Sequence, residues 1–224
     1  MGARQAPVAP ASEAPFRYGV VLGLVAAFMV LEVLSPDTHW ARAAGIALAG
    51  GALSVSVATS RERADVRRAR TLLVGGVALV VAIAIAAGLL SDAVTFIAGT
   101  VIVAAIPLAL GGGLIRLINH EGVTIQAVAG ALAIYLLIGM LFASAIGFII
   151  AVDSSPYFTQ SHVNNGDVVY YSFTVMTTTG FGDYTAAQPI GHALAVLEML
   201  IGQLYLVTVL GILIGNFAGR RARK

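Results

Sequence analysis

The chain contains no cysteine. That excludes a disulfide-stapled secreted scaffold, thiol catalysis and any metal site built on thiolates. Charge is scarce as well: only 11% of the 224 residues are Asp, Glu, Lys or Arg, against roughly 25% in an ordinary soluble domain. With 58% hydrophobic residues and only seven prolines, wholesale disorder and a collagenous fibre are excluded too. Neither sign of charge dominates, since 13 basic residues face 11 acidic ones, so a pI near 9.2 is no argument for nucleic acid. Where the charges sit carries more than their sum. Mean hydropathy is +0.91, and a globule of this size has too little interior to hide that much apolar surface. Much of it must face lipid.

What is present is a series of six apolar stretches, near residues 16–34, 41–59, 71–90, 93–117, 127–152 and 190–217. Each approaches the roughly 20 residues that cross hydrocarbon as a helix, which predicts an all-α membrane protein with six transmembrane helices. The second stretch is the most polar, with Ser54, Ser56 and Thr59, whose hydroxyls can bond back to helix carbonyls. Basic residues cluster between spans two and three (Arg61, Arg63, Arg67, Arg68, Arg70) and at the end (Arg220, Arg221, Arg223, Lys224). With Arg4, Arg17 and Arg116 they put 12 of the 13 basic residues on one side, leaving Arg42 opposite. Basic loops stay inside, so a multi-pass cell-membrane protein with both termini cytoplasmic is expected. Residues 1–15, with three prolines and no apolar run, read as a disordered tail, and residues 218–224 as a basic cytoplasmic tail. No stretch is long enough for a ligand-sensing domain, and no nucleic acid or small-molecule substrate apart from ions is expected.

Spans five and six are joined by residues 153–189, which leave and re-enter on the same side. The first part, residues 153–166, is polar and turn-like; the next, DVVYYSFTVMT over residues 167–177, is a semi-apolar run of 11 with Asn165 and Asp167 as candidate N-caps. As a helix that run is roughly 16 Å long, half a bilayer. A helix stopping at that depth is tolerated only where protein or water covers its end. Thr177-Thr178-Thr179-Gly180-Phe181-Gly182-Asp183 follows directly. Two glycines around one bulky residue allow dihedrals that a Cβ forbids, so successive carbonyls can turn to one side and line a pore with oxygen.

TTTGFGD resembles the selectivity filter of potassium channels, TxGYGD or TxGFGD, and the order outer helix, pore helix, filter, inner helix is similar to theirs. The resemblance is close over residues 127–217, the pore domain. Over residues 16–118, a four-helix domain, it extends to a degenerate voltage sensor in number and position of spans only. It implies an ion-binding filter of Thr178, Thr179, Gly180, Phe181 and Gly182, with the carbonyls of the first four and the Thr178 hydroxyl replacing the hydration shell of K⁺. One chain supplies one strand, so the resemblance implies a homotetramer in membrane lipid, a pore helix whose negative end favours a cation, no catalysis and no cofactor beyond permeant K⁺. Phe181 stands where Tyr is usual and Thr179 where Val or Ile is usual, which removes the filter tyrosine's bond to the pore helix and leaves a weakly selective cation channel as the alternative. Tyr170 and Tyr171 fall at the family's aromatic cuff, with Tyr171 placed to bond Asp183; Thr174 stands where some relatives are acidic.

Span six carries Glu198, an intramembrane carboxylate, costly and by default functional. Counted from the outside it lies two to three turns in, level with the pore helix, as filter support or as a packing residue. The run from Glu198 to Tyr205, E-x-x-x-G-Q-L-Y, is similar to inner helices of bacterial channels of this family, and Gly202 matches their hinge glycine; the alternative is a glycine that permits close packing. Span four carries only Arg116 at its inner end, so steep voltage gating is not expected. Pro107 with Gly111, Gly112 and Gly113 predicts a kink, followed by a surface linker, RLINHEGVTIQ. Glu32 reads as interfacial and Arg42 as its partner or that of Asp37. His39, His120, His162 and His192 have no metal-ligand spacing, and His162, nearest the pore mouth, is the candidate proton sensor. A membrane hydrolase lacks its Gly-x-Ser-x-Gly, with no histidine matched to Ser144, and a carrier lacks duplicated broken helices.

Overall fold

The structure, a computed structural model, describes residues 18–35, 37–58, 64–121 and 123–213. These form α1 (Tyr18–Leu34), α2 (His39–Ala58), α3 (Ala64–Ala86), α4 (Asp92–Glu121), α5 (Ile125–Val152), α6 (Asn165–Met176) and α7 (Pro189–Tyr205), the last running into a π-helical turn, Leu206–Leu210. Among the described residues no strand forms beyond one antiparallel bridge between Phe158 and Ala186. Five helices among the described residues are long and apolar enough to cross a membrane: α2, α3 from Arg68, α4 to Ile115, α5, and α7 through Leu213. α1 is a mostly apolar helix of 17 residues, about 26 Å at 1.5 Å per residue, and begins at the first described residue. The predicted tails, residues 1–15 and 218–224, lie outside the described residues, as do Arg4, Arg17, Arg61, Arg63, Arg220, Arg221, Arg223 and Lys224.

One core joins the two halves of the chain. Tyr18, Val21, Val25 and Phe28 of α1, Val103, Ile106 and Leu110 of α4, and Ala127, Ala131 and Leu137 of α5 are buried together. The semi-polar α2 lies where its composition is tolerated: 50% of its span is buried, against 17% for α3. Ser54 and Ser56 donate to the Gly50 and Ala52 carbonyls at 2.8 and 2.7 Å, each satisfied within its own helix. α3 packs almost solely on α2 and leaves Leu72, Leu73, Val77, Val80 and Ile83 exposed, a surface suited to lipid.

The expected surface linker is corrected. α4 continues through Pro107 and the three glycines to Glu121 over 30 residues, about 45 Å. Most of the linker is therefore the last turns of α4, and the chain re-enters helix at Ile125, capped by Thr124, whose hydroxyl accepts the Ala127 N–H at 3.2 Å. Helical packing of Leu110, Leu114 and Leu117, all buried, outweighs the intrinsic cost of the glycines, about 1 kcal/mol each. So short a connection keeps α4 and α5 side by side.

Candidate functional site

Residues 153–188 fold against α5 and α7 around the short helix α6. Its N-terminus is a capping box: Asn164 accepts the Asp167 N–H at 3.0 Å, and the Asp167 carboxylate accepts the Asn164 N–H at 2.9 Å. The cap is therefore Asn164, not Asn165 or Asp167, because Asp167 sits at N3, where it completes the box. The helix has 12 residues, about 18 Å.

Its C-terminus organises the loop that follows. The last carbonyls of a helix lack intrahelical donors, and here the chain folds back to supply them. Thr177 N–H donates to Phe173 at 3.0 Å, Thr178 to Val175 at 2.8 Å, and Thr179 and Gly180 both to Thr174 at 2.9 and 3.1 Å. The donors of residues 177–180 are thereby turned toward α6. The carbonyls of Thr178, Thr179, Gly180 and Phe181 accept no hydrogen bond from any described residue, and these residues are exposed.

The dihedrals explain the separation. φ is +57° at Thr178, +51° at Gly180 and +79° at Gly182, while Thr179 and Phe181 keep negative φ. An extended strand points successive carbonyls to opposite sides; a backbone that alternates the sign of φ points them the same way. Glycine takes positive φ without penalty. Thr178, β-branched, does not, and a strained residue of this kind costs of order 1–3 kcal/mol and persists only where its surroundings over-determine it. Its hydroxyl donates to Thr177 O at 2.7 Å and accepts from Gln203 Nε2 of α7 at 3.3 Å, which leaves one lone pair free.

Aromatic rings close the rear of the loop. Phe181 lies stacked on Tyr170 of α6, centroids 6.4 Å apart and planes within 4°, and Tyr184 meets Tyr170 and Phe158 edge-on at 6.0 and 6.2 Å. The tyrosine that interacts with Asp183 is Tyr170, whose hydroxyl pKa Asp183 raises, not Tyr171. Tyr171, one residue on and about 100° round the helix, is buried instead against Phe158, centroids 5.0 Å apart. Interaction with Asp167 holds the Tyr184 hydroxyl pKa above the usual value, and burial does the same for Tyr157. The outer loop, which reads from sequence only as polar, is stitched to the segment after Asp183: Thr159 N–H to Thr185 O at 2.9 Å, Ala187 N–H to Tyr157 O at 2.8 Å, and Gln160 Nε2 to Asp183 O at 2.7 Å.

Behind α6 lies Glu198, wholly buried. Its carboxylate accepts a short hydrogen bond from Ser172, and the same hydroxyl lies 2.8 Å from the Gly139 carbonyl of α5. Ser172 thus joins α5, α6 and α7 at one point. One turn further along α7, Gly202 meets the end of α6 so closely that a Cβ would stand 2.6 Å from both Met176 Cγ and Met176 O. This close approach leaves no room for a Cβ; an irregular turn of the helix follows at Leu206–Leu210. Tyr205 donates to Ala131 O of α5 at 2.7 Å. Gln203 and Ser172 carry no signal as isolated residues. Gln203 could have been found from its place in the E-x-x-x-G-Q run, Ser172 only from the structure.

Elsewhere the expected pairings change. Arg42 bridges to Asp92 of α4 rather than to Glu32 or Asp37, and Glu32 bonds the Asn165 side chain, because α1 ends beside α6. His192 Nε2 lies 2.9 Å from Ala186 O and His162 is exposed in the outer loop. No group of three potential metal ligands forms among the described residues. The side chains of Arg116 and His120 lie outside the described residues.

Residues 131–218 match a family model described as ion channel. The match spans most of α5, all of α6, the loop and α7, 88 of 224 residues. No curated protein and no solved structure matches the chain. The similarity supports ion transport rather than enzymatic chemistry, and with the long apolar helices it supports a membrane protein.

Proposed function

We propose that this protein is a potassium-selective channel, a homotetramer of six-span subunits in the cell membrane with both termini cytoplasmic, conducting K⁺ passively through a filter of Thr178, Thr179, Gly180, Phe181 and Gly182. The observation that carries this reading is the alternation of φ at residues 178–182, with N–H groups turned to α6 and carbonyls left free. A dehydrated K⁺ needs a cage of oxygens, and one strand offers one carbonyl per level. Four copies about an axis complete the cage. The exposed apolar residues Val196, Leu200 and Leu204 of α7 and Val207 of the π-helical turn supply surface for neighbouring copies and lipid. The C-terminal, negative end of α6 points at the base of the loop, which favours a cation there. Tyr170, Tyr171, Asp183 and Glu198 support the filter from behind, and Gly202 lets the inner helix approach it. Among the 30 residues of α4 the basic one is Arg116. One charge moved across 100 mV is worth about 2.3 kcal/mol, too little for steep voltage gating.

A second reading, a weakly selective cation channel, is favoured by Phe181, whose ring stacks on Tyr170 but brings no hydroxyl to brace the strand. The reversal potential of purified protein in planar bilayers, K⁺ against Na⁺, separates the two. A strongly K⁺-selective reversal is expected. A reversal near zero replaces the first reading with the second, and absence of current at every voltage and pH rejects both.

A further inference from the structure

The N-terminus of α6 is gripped by the first helix of the chain. Asn165 is the first helical residue, so its backbone N–H has no intrahelical acceptor. Both carboxylate oxygens of Asp37, in the α1–α2 connection, stand ready to accept it, at 3.2 and 3.3 Å. The Asn165 side-chain amide donates to Glu32, near the end of α1. Next to it, Gly166 lies flat against α1: a Cβ there would come within 2.6 Å of the Val33 carbonyl oxygen. Three contacts from three residues of the first half thus converge on two consecutive residues of α6. Two carboxylates also suit the positive end of a helix. Glu32 in turn feels the charge of Arg42 of α2, and Arg42 binds Asp92 of α4 and covers the Phe96 ring at 5.5 Å. Polar contacts therefore join α1 to α6 and α2 to α4, with the Arg42 charge acting on Glu32 between them.

We propose that Glu32 and Asp37 are positioning residues for the ion path, acting through Asn165, and that this clasp is how the four-helix half controls the geometry of the loop at residues 177–182. The inference rests on reading that loop as the filter. α6 is a rigid rod held at Ser172 by Gly139 and Glu198. Ser172 lies about 10 Å from the clasp and about 6 Å from the last residue of α6 along the axis. A 1 Å displacement at the clasp then moves the far end by about 0.6 Å, and that end carries the carbonyls of Phe173, Thr174 and Val175 that hold residues 177–180. The carbonyls of such a loop stand in for an ion's hydration shell, so their placement bears on which ion they hold.

The test compares wild type with the double variant Glu32→Ala/Asp37→Ala, which removes both acceptors, and with Glu32→Gln/Asp37→Asn, which keeps an oxygen at each place. Each is reconstituted in liposomes and read by amide hydrogen exchange at residues 178–180 and by the K⁺ over Na⁺ permeability ratio. Expected are at least tenfold faster exchange in the alanine pair, unchanged exchange in α4, a permeability ratio at least fivefold lower, and values within twofold of wild type for the Gln/Asn pair. Exchange in the alanine pair within twofold of wild type overturns the proposal, and so does a Gln/Asn pair as impaired as the alanine pair. If the alanine pair does not assemble, Asn165→Ala, which keeps the backbone bond to Asp37, decides through the same readouts: about threefold faster exchange is expected, and none rejects the Glu32 limb. A wild type that carries no K⁺ current defeats the channel reading, while the exchange result still decides the clasp.

Discussion

In the half formed by α1 to α4, the hydroxyls of Ser54, Ser56 and Thr100 return to their own helices, to Gly50, Ala52 and Phe96, each four residues back. In the half formed by α5 to α7 Thr174 and Thr208 do the same, but Ser172 reaches across to Gly139 and Glu198, the Gln203 amide to Thr178 and Tyr205 to Ala131. Helices that only need to stay adjacent are held by apolar packing, which tolerates small rotations. A loop whose carbonyls must share one direction needs directional bonds from several elements at once. The outer end of the first half, where Glu32 and Asp37 meet Asn165, follows the pattern of the second.

The largest effect expected from this contrast is at the loop itself. Gly180→Ala or Gly182→Ala forces a Cβ onto positive φ, where nothing blocks the space but the conformation costs roughly 1–2 kcal/mol. K⁺ flux into liposomes should fall at least a hundredfold while size-exclusion chromatography shows an unchanged assembly. Next is Gly202→Ala, whose methyl collides with Met176. Overpacking of about 1–3 kcal/mol should lower the thermal midpoint by several degrees and reduce flux without abolishing it. Ser172→Ala should follow, since Glu198 and the Gly139 carbonyl both lose a partner in a buried site, at about 1–3 kcal/mol in denaturation. Ser56→Ala, equally buried but bonded within its own helix, should change stability by less than about 0.5 kcal/mol; an effect as large as that of Ser172→Ala would erase the distinction between the halves. Smallest of all, Arg116→Gln should leave the activation voltage within about 10 mV of wild type, as measured by current against voltage in bilayers.

Much of this was legible without coordinates because it depends on local properties. Hydropathy over a window decides whether a segment enters lipid, and the six stretches correspond to α1, α2, α3, α4, α5 and α7. Positive φ is a property of single residues, so two glycines around Phe181 announced the turned carbonyls. The intramembrane position of Glu198 marked it for attention because a carboxylate in that setting demands a partner. What could not be read was which partner. One residue is about 100° on a helix, enough to give Asp183 to Tyr170 and bury Tyr171 against Phe158; Arg42 found Asp92 and Glu32 found Asn165 because of how α1, α2 and α4 lean on α6. The sequence by itself determined which segments are long and apolar enough to suit a membrane and, at Gly180 and Gly182, where the backbone takes positive φ without strain, since both are set residue by residue. The tertiary structure decided the capping of α6, the length of α4, the pairing of every buried polar side chain across helices and the grip of α1 on α6, since each depends on the rotation and tilt of whole helices packed against one another.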